Sequence, residues 1–192
     1  MKLELLHEEI EQKQEELIAL NANLVELSVT DKLTGLKNRR YFQEKIEDQI
    51  ILYRKVDKPF SVILLDIDHF KKVNDTWGHQ TGDDVLERLA KILQAYSRKG
   101  DIVARYGGEE FVLILPDMDI DEAKAIAERL RTAVAGSIWN TGSITISIGI
   151  ATFTPTDSNA TILKKADQAL YASKENGRNR ITHFVDLEEK LL

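Results

Sequence analysis

The sequence predicts an α+β or α/β sandwich, a central sheet with helices packed on it, preceded by one long amphipathic helix. Three observations carry this. The chain opens on an apolar seam spaced alternately three and four residues apart. Apolar strand-like runs then alternate with segments of helical period in the order α-β-α-β-β-α-β-α-β. Midway, Gly107-Gly108 lies between two apolar runs, the pattern of a tight hairpin.

The seam comprises Leu3, Leu6, Ile10, Lys13, Leu17, Leu20, Leu24 and Leu27, a heptad pattern with one polar defect at Lys13. A helix over it would be about 40 Å long. Such a stripe must be covered, either by the chain's own body or by a second copy, and the strict spacing favours a parallel two-stranded coiled coil. Turn formers and a basic cluster over Thr30–Arg40 break that helix, and a new one is expected over 38–55. Pro59 precedes a strand, Phe60–Ile67. A helix over 81–97 leads to Ile102–Val103–Ala104, the Gly-Gly turn and Phe111–Leu115. A helix over 120–135, an alternating strand over 143–150, a helix over 159–176 and a short strand over 180–184 complete the chain.

The chain has 192 residues, room for one domain and an extra element, and 43% of them are hydrophobic, normal for a packed core. No run is long and apolar enough for a membrane span, and no signal peptide is visible. The absence of cysteine excludes disulfides, thiolate metal sites and cysteine nucleophiles, and is compatible with a cytoplasmic protein. A net charge of −6 disfavours non-specific nucleic-acid binding. A polyanionic small substrate would need a local basic site or a bound metal.

The residues able to do chemistry cluster around the hairpin. Glu109 and Glu110 follow the glycines directly, and two carboxylates that close repel unless a cation compensates them. The alternative is an exposed turn with two solvated glutamates. Asp66-Ile67-Asp68 ends the apolar strand that begins at Phe60, so Asp66 sits at the lip of the core. Adjacent strands could bring Asp66 and Glu109 within reach of one Mg²⁺ or Mn²⁺ ion. Lys71 follows closely and can hold a phosphate, as can the backbone N–H groups of the turn 69–71. Asn74 and Asp83 carry groups able to read a purine edge; they read equally as turn and helix-capping residues. Basic residues at and beyond the end of the last long helix, Lys174 and Arg178 among them, are explained by its dipole, with Gly177 as the residue beyond its cap.

Taken together, Asp31-x-Leu33-Thr34-Gly35, Asp66-Ile67-Asp68-His69-Phe70-Lys71, Asn74-Asp75-x-x-Gly78-His79-x-x-Gly82-Asp83, Arg105-Tyr106-Gly107-Gly108-Glu109-Glu110-Phe111, Ala166-Asp167-x-Ala169-Leu170-Tyr171 and Gly177-Arg178-Asn179 resemble a GGDEF-domain diguanylate cyclase in its Gly-Gly-Glu-Glu-Phe version. The match runs from Thr30 to Phe184. The resemblance implies an α+β, palm-like nucleotide cyclase domain over 30–192, with a mainly antiparallel sheet. It implies condensation of two GTP into cyclic di-GMP and two pyrophosphates. By matching position, Asp66, the Ile67 carbonyl, Glu109 and Glu110 would hold two Mg²⁺ (or Mn²⁺) ions. Glu109 is the family's candidate to activate the 3′-hydroxyl; a metal-bound carboxylate is a poor base, and the metal itself can lower the hydroxyl's pKa instead. Phe70 (through its backbone), Lys71, Lys174 and Arg178 would hold the triphosphate, and Asn74 and Asp83, with His79 nearby, would read guanine.

Arg98-x-x-Asp101, five residues before Gly107, resembles the family's inhibitory product site, with Arg129 as its auxiliary arginine; Arg129 reads equally as an exposed helix residue. Because one domain holds one GTP, activity implies a homodimer, for which residues 1–29 would be the coiled-coil dimerising and signalling helix. The rival readings are a silent module that senses GTP or cyclic di-GMP, a purely structural dimeriser, and a cyclase for another purine.

Overall fold

A computed structural model describes residues 2–188, and the side chains of residues 7–21 and 24–188. The seam positions Leu3 and Leu6 therefore lie outside the described side chains. Helix α1 (Lys2–Val29) is followed by a two-residue strand β1 (Lys37–Asn38) and α2 (Arg39–Val56). Next come β2 (Phe60–Ile67), α3 (Phe70–Trp77), α4 (His79–Tyr96), β3 (Ile102–Gly107) and β4 (Glu110–Pro116). The remainder is α5 (Ile120–Ala135), β5 (Ile146–Thr152), α6 (Asn159–Glu175), β6 (Ile181–His183) and α7 (Val185–Glu188).

The strands form one six-stranded sheet in the order β1-β3-β4-β2-β5-β6. The inner pairs β3/β4, β4/β2 and β2/β5 are antiparallel, and the outer pairs β1/β3 and β5/β6 are parallel. The fold is thus α+β with a mainly antiparallel sheet. Strand β2 lies near its centre and every residue is buried. Its side chains alternate between two cores: Ile63, Leu65 and Ile67 face α3, α4 and α5, while Val62 and Leu64 face α2 and α6. Asp66 follows that alternation onto the α2/α6 side, and α6 comes unusually close there. A Cβ at Gly149 of β5 would collide with the backbone of Ala166 and Leu170, so only glycine lets this helix lie so near the strand.

Helix ends are closed as their sequences lead one to expect. Asn38 caps α2 by accepting from Tyr41 N–H, and Asp119/Glu122 and Ser158/Thr161 form capping boxes on α5 and α6. A buried polar chain crosses four segments. Val185 N–H donates to His183 Nδ1, which leaves Nε2–H to donate to Thr152 Oγ1 at 3.0 Å. The Thr152 hydroxyl then donates to Ser61 Oγ, and Ser61 to the Met118 carbonyl. Burial and the nearby Lys124 cation lower the His183 pKa to about 4.

Several elements differ from the sequence reading. Strand β1 and helix α7 are not expected from it; Phe70–Trp77, where only a turn at 69–71 is expected, is the helix α3, and α4 starts at His79 rather than 81. Asn74 and Asp83 therefore sit within helices rather than in a turn or at an N-cap. Gly78, at φ 84°, is the joint between them. Strand β5 begins at Ile146 and runs to Thr152, later than the expected 143–150; Phe153 N–H still bonds Phe60 O. In the hairpin only Gly108 has positive φ, 50°, while Gly107 ends β3 beyond a bulge at Tyr106.

Candidate active site

At the exposed end of β2 the strand register sets Asp66 opposite Glu110 on β4 and opposite Ser147 on β5. The sequence reading pairs Asp66 with Glu109; in the sheet the residue directly across is Glu110, and Glu109 occupies the two-residue turn beside it. From α6, Lys174 Nζ reaches Asp66 Oδ2 at 3.0 Å. Burial raises the Asp66 pKa, an effect that Lys174 opposes but does not cancel. Glu109 and Glu110 are likewise raised, first by burial and then by the Asp66 charge, with Lys174 again opposing. The three acids thus feel one another across the sheet end, and one ammonium is too little to settle them. Among the described residues no three His, Asp or Glu side chains are gathered as a ready metal cluster. Hard oxygen donors whose mutual repulsion exceeds the local positive charge nevertheless fit a divalent cation.

Asp68 has another task. It is buried and accepts from Thr145 Oγ1 at 2.7 Å, Ser147 Oγ at 2.6 Å and Asn179 N–H at 3.0 Å. The last bond holds a turn in which Gly177, Arg178 and Asn179 all have positive φ. A left-handed arginine costs about 1 kcal/mol or more and persists only where its surroundings enforce it. Arg178 N–H to Ser173 O and Arg131 Nη1 to Asn179 Oδ1 complete the enforcement. The Arg178 charge works to lower the Asp66 pKa, after Lys174, against the larger effect of burial.

Helix α3 begins at Phe70 after His69 in the left-handed region, with no side-chain cap on its first turn. Its first N–H groups and the exposed Lys71 follow within a few residues of Asp66 along the chain and offer donors for an anion. Asn74 is half-buried against α4: a Cβ at Gly82 would fall well under 3.0 Å from Asn74 Oδ1. Asp83, the next residue, is also half-buried, and His79 is exposed at the first turn of α4. A cavity of about 240 Å³ between β4 and α6 is lined by Glu110, Asp167, Tyr171 and Lys174.

Arg98, Asp101 and Arg129 come together elsewhere, beyond the end of α4. Arg98 N–H donates to Asp101 Oδ2 at 2.6 Å, and Arg129 Nη2 donates to Tyr96 O at 2.9 Å. Burial raises the Asp101 pKa, with the Arg98 backbone hydrogen bond and the Arg98 and Arg129 charges in opposition.

The sequence reading assigns no role to Asp31 and Arg105, which tie the hairpin to the end of α1. Arg105 Nε and Nη2 donate to the Gly108 carbonyl at 2.9 and 2.8 Å, and its Nη1 reaches Asp31 Oδ1 at 3.3 Å. Asp31 also accepts from Thr34 N–H and Oγ1. Burial alone would raise the Asp31 pKa; the Thr34 bonds and the Arg105 charge outweigh it and hold it low. The signal was present, since Asp31, Thr34, Arg105 and Gly108 all lie in the quoted motifs.

The family model described as diguanylate cyclase, GGDEF domain, matches residues 28–180. The chain belongs to the GGDEF family. It is 44% identical over 164 residues to the response regulator PleD of Caulobacter vibrioides, covering 82% of this chain and 36% of PleD. It is 40% identical over 178 residues to the diguanylate cyclase DgcM of Escherichia coli, covering 92% of this chain and 42% of DgcM. The chain thus spans well under half the length of these curated relatives. Its fold superposes with TM-score 0.90 at 33% identity on the crystal structure of the coiled coil and GGDEF domain of DgcB from Caulobacter crescentus in complex with c-di-GMP, covering 95% of this chain and 100% of that one. No helix among the described residues is long and apolar enough to cross a membrane.

Proposed function

We propose that this GGDEF chain acts as a diguanylate cyclase, condensing two GTP into cyclic di-GMP with release of two pyrophosphates. The observation that carries the reading is the meeting of Asp66, Glu109 and Glu110 at one sheet end, with Lys174, Arg178 and the start of α3 around them. The 3′-oxygen of one GTP attacks the α-phosphorus of the other in line, a P–O bond forms, and the bond to pyrophosphate breaks; the second linkage repeats the exchange. Two Mg²⁺ (or Mn²⁺) ions held by Asp66, the Ile67 carbonyl, Glu109 and Glu110 would supply Lewis-acid stabilisation of the attacking and leaving oxygens.

The chain's own groups do the rest. Lys71, the Phe70 N–H, Lys174 and Arg178 neutralise and orient the triphosphate. Asn74 and Asp83 read the guanine edge, with His79 at the rim. Glu109 is the candidate to accept the 3′-hydroxyl proton, and a bound metal would itself lower that hydroxyl's pKa. One GTP per subunit requires two domains face to face. Residues 1–29 are the dimerising helix and residues 30–192 the cyclase domain. In support, Ile10, Leu17, Leu20, Leu24 and Leu27 are all exposed on α1 rather than covered by the chain's own body. A coiled coil would hold the second domain at an effective concentration on the order of millimolar. Arg98, Asp101 and Arg129 form a product-binding inhibitory site.

Incubation with GTP and Mg²⁺ followed by product chromatography tests the reading. We expect cyclic di-GMP from the wild type and a loss of about 100-fold or more in Glu109→Ala. GTP bound but unconverted by the wild-type dimer would instead make the chain a sensing module.

A further inference from the structure

Helix α3 has two working faces. Phe70, Lys71 and Asn74 serve the site just described, while His69, Lys72, Val73, Thr76 and Trp77, spaced as one helical stripe, line a separate cavity of about 310 Å³. Its opposite wall is the segment before β5, through Thr141, Ser143, Ile144 and Thr145. The Thr141 hydroxyl oxygen is buried and has no hydrogen-bond partner among the described residues. Trp77 is 54% exposed at the cavity rim although it is large and apolar. The carboxylate at the cavity floor, Asp68, keeps its negative charge, but both its oxygens are turned to donors from Thr145, Ser147 and Asn179, whose dipoles partly offset its field. The opposite charge in the lining is the Lys72 ammonium, with the His69 imidazole and the hydroxyls of Thr76, Thr141 and Ser143 as further polar groups.

We propose that this cavity binds a small organic anion with a flat apolar body, of the aromatic-carboxylate class, and that its occupancy tunes nucleotide binding. The ring would lie between Trp77, Val73 and Ile144, and the carboxylate would meet Lys72 and the hydroxyls. The coupling runs through two parts that both sites share: α3, whose other face carries Lys71 and Asn74, and Asp68, whose bond to Asn179 holds the Arg178 turn. The regulatory half rests on the cyclase reading; the binding half does not.

The test uses the full chain, ¹⁵N-labelled, titrated with 2-naphthoate and, separately, with neutral 2-naphthamide. We expect saturable shifts of the Trp77 indole and of residues 141–145, with naphthoate held at about 1 mM or tighter. Lys72→Gln, an exposed substitution outside the nucleotide site, should weaken naphthoate about tenfold, leave naphthamide unchanged and keep basal turnover of GTP. Naphthoate should also shift the apparent GTP affinity of the wild type and not of Lys72→Gln. No saturable shifts in the cavity, or equal affinity for acid and amide, would overturn the site. Cavity binding with GTP affinity unmoved would overturn the coupling alone. A chain that binds naphthoate but turns over no GTP would sink the cyclase reading and leave the site standing.

Discussion

Gly82 has no side chain, and Asn74 uses the space. Because an added methyl would collide with the Asn74 amide oxygen and crowd the Phe70 ring, the residue sets where Asn74, the proposed purine reader, can point. We expect Gly82→Ala to raise KM for GTP about tenfold with a smaller change in kcat, and to narrow the preference for GTP over ATP. Steady-state kinetics with both nucleotides check it; a fall in kcat alone would assign Gly82 to packing. This role was hidden in the sequence because a glycine's use depends on what approaches it. The charged part of the site was more legible. Asp66, Glu109, Glu110, Lys174 and Arg178 were all found from motifs, but the partner across the sheet from Asp66 was not, since a one-residue change of register exchanges Glu109 for Glu110.

Elements were legible in proportion to their length and apolar period. Strand β2 and helices α2, α4, α5 and α6 show clear patterns and fell within a few residues of expectation. Helix α3 did not, because Lys71, Lys72, Asn74 and Asp75 mimic a turn and its few apolar residues follow only two turns of helix. The start of β5 was misjudged because Ser143–Thr145 continues the strand alternation before pairing begins. Packing between elements also carries a pH signature. His183 joins β6 to β5, β2 and the segment before α5 in its neutral form, with a pKa of about 4 against an ordinary value of 6.5. Below 6.5 the unfolded chain takes up a proton that the folded chain refuses, so stability falls as pH drops from 6.5 towards 4. The loss is at most about 3 kcal/mol. Thermal melts across that range should show a steeper decline for the wild type than for His183→Gln, and parallel slopes would contradict the assignment.

At the scale of the whole molecule, the proposed function assigns control to two surfaces outside the proposed nucleotide site. With Leu17→Glu and Leu24→Glu on the exposed stripe of α1, we expect a monomer in analytical ultracentrifugation at micromolar concentration and a large loss of cyclic di-GMP synthesis. A monomer of full activity would refute the stalk's role. Arg98→Ala should relieve inhibition by added cyclic di-GMP while leaving initial turnover intact; inhibition of unchanged strength would remove that assignment. Where stalk meets domain, within about one turn, Lys37 Nζ grips Glu26, Asn38 Nδ2 grips the Ser28 carbonyl and Arg40 Nη2 grips the Ser28 hydroxyl. Immediately beyond, Asp31 holds Arg105, and Arg105 holds the Gly108 carbonyl. Bonds from the single segment 37–40, with Thr30 bridged to Lys37, hinder bending at the base of the rod. If α1 is the signalling helix proposed above, a twist at its far end would pass through Asp31 and Arg105 to the turn that carries Glu109, and the stalk would work as a driveshaft rather than a tether.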